Sequence, residues 1–125
     1  TGDPDNFDIP KLAEAAGATF TGRCTAYNVQ GAVKLIEDAI KHHGFSLIEG
    51  MSVCPTYYGR KNKKGDSIAM LNWQKETCID AKVAAKLPPE KLEGKILIGE
   101  LSRDDSKEEY TDMYMKIIER CGGNK

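Results

Sequence analysis

Residues 18–50, ATFTGRCTAYNVQGAVKLIEDAIKHHGFSLIEG, decide the fold. The first eight, with Thr at 19, 21 and 25 and Phe20 among them, read as a strand. Asn28 is suited to cap a helix. Val29, Ala32, Val33, Ile36, Ala39 and Ile40 then recur at helical spacing, the mark of an amphipathic helix. Lys41-His42-His43-Gly44 closes it, with cations at the negative end of the dipole and a Gly able to turn left-handed. Residues 45–50 form a second strand. Strand, helix and strand across about thirty residues make a βαβ unit, hence parallel pairing in an α/β domain.

Working outward, Asp8-Ile9-Pro10 opens a short helix whose inner face is Leu12, Ala13 and Ala16, ended by Gly17. Residues 54–65 form a basic loop with Pro55, Tyr57, Tyr58, Gly59, Arg60, Lys61, Lys63 and Lys64. A helix starting at Asp66 or Ser67 carries Ile68, Leu71 and Trp73. Residues 81–87 are a short helix stopped by Pro88-Pro89. Residues 95–100 are a strand, and 102–106 a polar turn. Ser106 and Glu109 read as a capping box for a last helix. Its stripe of Tyr110, Met113, Tyr114, Ile117, Ile118 and Cys121 reads as core packing. The tail from Gly122 is a helix stop.

The chain has 125 residues, 40% hydrophobic and 30% charged, with a net charge of -1. This is the composition of one soluble globular domain, with no bulk field to attract nucleic acid or anionic membrane. No apolar run approaches the roughly 20 residues of a membrane span. The first residues lack the pattern of a secretion signal. No GxGxxG, Walker A, GxSxG or HExxH motif is present.

The four cysteines, Cys24, Cys54, Cys78 and Cys121, form no CxxC pair, which excludes a zinc ribbon or a self-contained ferredoxin. Taken blindly, each reads as a reduced, buried thiol. Cys54 stands apart. It follows a strand, heads a loop and precedes Pro55, at the carboxyl end of the sheet where α/β proteins bind ligands. The cations of the loop favour a thiolate there. Metal ligand, reactive thiol and structural thiol all stay open on these grounds. The adjacent His42 and His43 read as exposed helix-end cations, because neighbours on a helix diverge. The basic loop reads as a solvated charge run, a phosphate site or a dock for an acidic protein. Asp104-Asp105 reads as a solvated pair.

Three stretches resemble the β subunit of 2-oxoacid:ferredoxin oxidoreductases, the 2-oxoglutarate type in particular: LAEAAGATFTG at 12–22, IKHHGFSLIEGMSVCPTYYGRKN at 40–62 and IAMLNWQK at 68–75. Gly99-Glu100 and Glu109-Tyr110 extend the likeness. The resemblance implies the C-terminal part of a thiamine diphosphate-binding, three-layer α/β fold with parallel strands, plus a C-terminal helical segment. Residues 1–65 would be the end of the thiamine-enzyme domain, and 66–125 the extension of the subunit.

It implies a cytoplasmic enzyme that decarboxylates a 2-oxoacid with thiamine diphosphate and magnesium. The acyl group passes to coenzyme A, and the electrons pass through a 4Fe–4S cluster to ferredoxin. The partners implied are an α subunit, ferredoxin, the 2-oxoacid and coenzyme A. Cys54 matches the late cluster ligand; no other Cys here matches, and no catalytic residue is assigned to the chain. The thiamine-binding GDG motif and the other three ligands are absent from these residues, so the isolated chain is expected to be inactive. The rival readings are a stand-alone α/β binding module that recognises an acidic protein through the basic loop, and a thiamine enzyme without electron transfer.

Overall fold

A computed structural model describes residues 7–63 and 65–122. Lys64 of the expected loop and the tail from residue 123 lie outside them. The described chain runs α1 (Ile9–Ala15), β1 (Phe20–Thr25), α2 (Val29–Lys41), β2 (Ser46–Met51), a π-helical turn (Pro55–Gly59), α3 (Ser67–Thr77), β3 (Cys78–Asp80), α4 (Ala81–Ala84), a 3-10 turn (Pro89–Lys91), β4 (Ile96–Arg103) and α5 (Tyr110–Arg120). The fold is α/β.

The caps explain where the helices start. Asp8 accepts from the Lys11 N–H, Asn28 from Gly31, and Asp66 from Ala69. Gly44, at φ 142°, turns the chain out of α2, and a side chain there would collide with the Thr19 hydroxyl.

One four-stranded sheet runs in the order β2-β1-β4-β3. β1 and β2 pair in parallel, Phe20 against Ser46 through Thr25 against Met51, as the βαβ reading requires. β3 and β4 are also parallel, whereas β4 returns antiparallel to β1. The side chains of β1 alternate between two covered faces. Gly22 lies under Leu35 of α2, while Arg23 on the opposite face reaches Asp8 at the head of α1. Helices therefore flank the sheet on both sides, and β1 is its buried spine: Phe20 and Thr21 are fully enclosed.

A buried charge crosses that spine. The Arg23 guanidinium donates Nε to Glu49 on β2, Nη2 to Asp8 at 3.0 Å and Nη1 to the Leu97 carbonyl on β4 at 3.3 Å. One side chain thus ties α1, β2 and β4 to β1, each of its three nitrogens answered by an acceptor.

Several expectations need correction. β4 continues to Arg103 rather than stopping near residue 100, because Ser102 and Arg103 still pair with Thr21 and Phe20. β3 is three residues long, too short for any alternation to announce it. The helix expected over 81–87 ends at Ala84. Glu109 caps α5 by itself through the Thr111 N–H, and Ser106 is instead held by Asp104, so the capping box does not form. Leu12 and Ala16 are exposed.

His42 is no surface cation. It is 8% exposed, and its Nε2 meets the Thr19 hydroxyl at 2.8 Å while its Nδ1 lies 3.4 Å from Asp105. Only His43 stays at the surface. The apolar stripe of α5 is not core: no residue of that helix is buried, and Tyr110 is 69% exposed. The stripe of α2 is open too. Val29, Val33, Ile36 and Ile40 are exposed, and only Leu35 is buried. Periodicity correctly marked these faces as wanting cover, but the cover does not come from the described residues.

Candidate functional site

The chain leaves β2 at Met51 and runs through Ser52 and Val53 to Cys54, then Pro55 begins the π-helical turn. Pro favours this start because its φ is preset and its missing N–H falls where a first-turn donor has no partner. The turn closes with the Gly59 N–H on the Cys54 carbonyl at 2.9 Å. Gly59 is buried, and a Cβ there would come within 3.0 Å of the Gly65 carbonyl and of the Met70 sulfur. Glycine suits this position because any Cβ would be crowded by its neighbours.

Hydrogen bonds from the Tyr58, Tyr57 and Thr56 backbones hold the Cys54 thiol below its ordinary value, against a smaller opposing effect of burial. Among the described residues the loop cations Arg60, Lys61 and Lys63 are not among the causes, contrary to the sequence reading. Lys61 lies over the Tyr57 ring, 4.3 Å from its centroid, and bonds the phenol at 3.2 Å. By contrast, burial pushes the Cys24 and Cys78 thiols up. Cys54 is exposed, and Cys121 is exposed at the end of α5.

Cys54 looks over a cavity of about 310 Å³ whose other walls include Met51, Val53, Tyr58, Met70 and Trp73. Its wall on the α3 side rests on Gln74, which is 2% exposed. The Gln74 Oε1 accepts from the Tyr27 N–H at 3.1 Å, and Nε2 donates to the Met51 carbonyl at 3.0 Å. This amide joins the carboxyl ends of β1 and β2 just where the chain departs toward Cys54. Gln74 was not singled out from the sequence. The available signal was its i+4 relation to Met70, which puts both on one helix face.

Among the described residues no three His, Cys, Asp or Glu side chains gather as a metal-binding group. Cys54 therefore offers a single soft ligand. The site as it stands can place one thiolate at the mouth of a mostly apolar hollow.

Alkylation should report this arrangement. Because the Cys54 thiol is lowered, its thiolate forms at lower pH than an ordinary thiol's; for Cys24 and Cys78 the sign is opposite. Iodoacetamide labelling followed over pH by peptide mass spectrometry should modify Cys54 first, with its half-maximal rate at a lower pH than those of Cys24 and Cys78. Equal pH profiles would count against the N–H donors.

No family model matches the chain. Curated relatives do. The 2-oxoglutarate synthase subunit KorB of Methanothermobacter marburgensis is 40% identical over 119 residues, which is 95% of this chain and 41% of the relative. The subunit of the same name from Methanocaldococcus jannaschii is 38% identical over 93% of this chain and 43% of the relative. The 2-oxoacid:ferredoxin oxidoreductase 2 subunit beta of Aeropyrum pernix is 43% identical over 53 residues, 42% of this chain and 17% of that subunit. The chain spans about two-fifths of the length of the KorB subunits, matching their C-terminal part. With near-complete coverage of these residues by such relatives, the chain belongs to the β-subunit family of 2-oxoacid:ferredoxin oxidoreductases.

Proposed function

We propose that this chain is the C-terminal part of a β subunit that works in a 2-oxoacid:ferredoxin oxidoreductase, with 2-oxoglutarate as the preferred substrate, and that Cys54 is one thiolate ligand of its 4Fe–4S cluster. The single observation that carries the assignment is the setting of Cys54: an exposed sulfur, met by peptide N–H groups, at the rim of a hollow beyond the carboxyl end of β2. N–H donors directed at a sulfur stabilise its anionic form, which is the form that binds iron, and hydrogen bonds to sulfur tune a cluster's potential.

A cubane cluster takes four thiolates. The other three would come from polypeptide outside this chain, as would the groups that hold thiamine diphosphate and magnesium. The cluster, when bound, supplies one-electron transfer. The residues of this chain position it: Gln74 fixes the start of the segment, Pro55 and Gly59 shape the turn, and Tyr58, Met70 and Trp73 limit the access of water. The α subunit, ferredoxin and coenzyme A are the partners of the whole enzyme in this reading, and its compartment is the cytoplasm. No helix in the described residues is long and apolar enough to cross a membrane.

Iron and sulfide analysis of the complete subunit carrying Cys54→Ala tests the assignment. The variant is expected to hold less iron than the parent; full loading would overturn the ligand role.

The loop after Cys54 keeps Arg60, Lys61 and Lys63 at the surface, and ferredoxins of this kind of enzyme would meet it as acidic partners. Arg60→Gln with Lys63→Gln should raise the apparent KM for ferredoxin several-fold and flatten its dependence on ionic strength, while leaving the cluster content unchanged. Steady-state kinetics at two salt concentrations check this, and unaltered ferredoxin kinetics would remove the docking role.

A further inference from the structure

We propose that the outer edge of β2 is the seam on which the preceding part of the subunit docks, laying an apolar extended segment alongside Ser46–Met51. The inference concerns assembly and is independent of the iron ligand.

The edge is open. Among the described residues β2 pairs only with β1. The Phe45 carbonyl accepts from Thr19 and Phe20, and the Met51 carbonyl accepts from Ala26, so the odd-numbered residues face β1. Strand alternation then aims the backbone groups of Ser46, Ile48 and Gly50 away from the sheet. None of the usual protection of an edge is present. SLIEGM contains no Pro and no Lys, its pairing with β1 carries no bulge, and its one charge, Glu49, is committed to Arg23.

Both faces beside this edge are also apolar and hollow. On the α1 side a notch of about 470 Å³ is walled by Ile9, Leu12, Phe45 and Leu47. On the α2 side a groove of about 290 Å³ is walled by Val29, Val33, Ile36 and Met51. Val33 and Phe45 are 59% and 64% exposed. An unpaired strand with an apolar hollow on each face is the shape left when the next strand and the residues packed on it are taken away.

Two observations choose the occupant. The chain matches only the C-terminal two-fifths of its relatives, so the larger part of such a subunit precedes these residues. That polypeptide would arrive at the same flank: Phe7, the first described residue, is 73% exposed and leads directly into α1, whose Ile9 and Leu12 wall the first notch.

Amide hydrogen exchange on the complete β subunit tests the seam, with residues inside β2 as its own control. Leu47 and Glu49, directed at β1, should be protected in any folded form. If the edge is covered, Ser46, Ile48 and Gly50 should exchange at least about a hundredfold more slowly than unstructured amides, and should stay so on dilution. Free exchange at these three beside protected Leu47 and Glu49 overturns the proposal. Protection that disappears on dilution to monomers also overturns it, and would give the edge to a second copy.

Discussion

Replacing Cys54 by Ala in the complete enzyme is expected to abolish ferredoxin reduction while leaving the subunit folded. The side chain is exposed and carries no packing, so its removal opens no cavity in the sheet. What disappears is the thiol that the backbones of Tyr58, Tyr57 and Thr56 hold below its ordinary value at the mouth of the hollow. Cys54→Ser is the sharper comparison. It keeps the shape and the N–H contacts, but an alcohol is a far weaker acid than a thiol and a harder ligand for iron. Partial iron retention with an altered visible spectrum is the expected result for Ser, and loss of both iron and ferredoxin reduction for Ala. Circular dichroism establishes folding in each case. Wild-type ferredoxin reduction by Cys54→Ala would end the oxidoreductase role assigned to this sulfur.

Arg23→Met should destabilise the fold by about 3 kcal/mol, in the range found when one partner of a buried ion pair is removed, with the midpoint temperature lowered by roughly 10 °C. The reasoning starts from geometry. The guanidinium is 5% exposed, whereas the side chains of Asp8 and Glu49 are 28% and 24% exposed. Removing the cation lets both carboxylates regain some water, which keeps the loss toward the lower end. It also leaves the Leu97 carbonyl without that donor and releases Asp8, the cap of α1. Arg23→Lys should recover only part of the loss, because an ammonium cannot spread three directed hydrogen bonds as a planar fork does. Urea unfolding at neutral pH measures all three proteins. A change below about 0.5 kcal/mol for Met, the size of an ordinary surface substitution, would show that the network contributes nothing net.

The parts of the fold that were legible are those where local signals agree. Asn28, the helical spacing after it and Gly44 all point to one helix between two parallel strands, and that unit forms as read. Cys54 stood out because a strand end, a following Pro and a loop coincide there. The hidden features are those that depend on contacts distant in sequence. Nothing local distinguishes His42 from His43; only Thr19, 23 residues away, and Asp105 draw the first inward. Gln74 looks like any polar helix residue until Tyr27 and Met51 are brought to it. Arg23, between Gly22 and Cys24 in its strand, gives no hint that three elements converge on it. The stripes of α2 and α5 carried a different lesson. Amphipathic spacing tells that a face needs a partner, and it is silent about whether that partner belongs to the same stretch of chain.

The contact beneath Gly59 sets a mechanical limit. Peptide lies against peptide there, with the Met70 sulfur alongside, and the Cys54 carbonyl stands 3.7 Å from where a methyl at Gly59 would be. The Met70 side chain can turn aside, but the Gly65 carbonyl has no rotamer to give way. Any side chain at residue 59 would therefore press on the Gly65 carbonyl and push the Pro55–Gly59 turn, with the Cys54 sulfur at its head, away from its place beyond the strand ends.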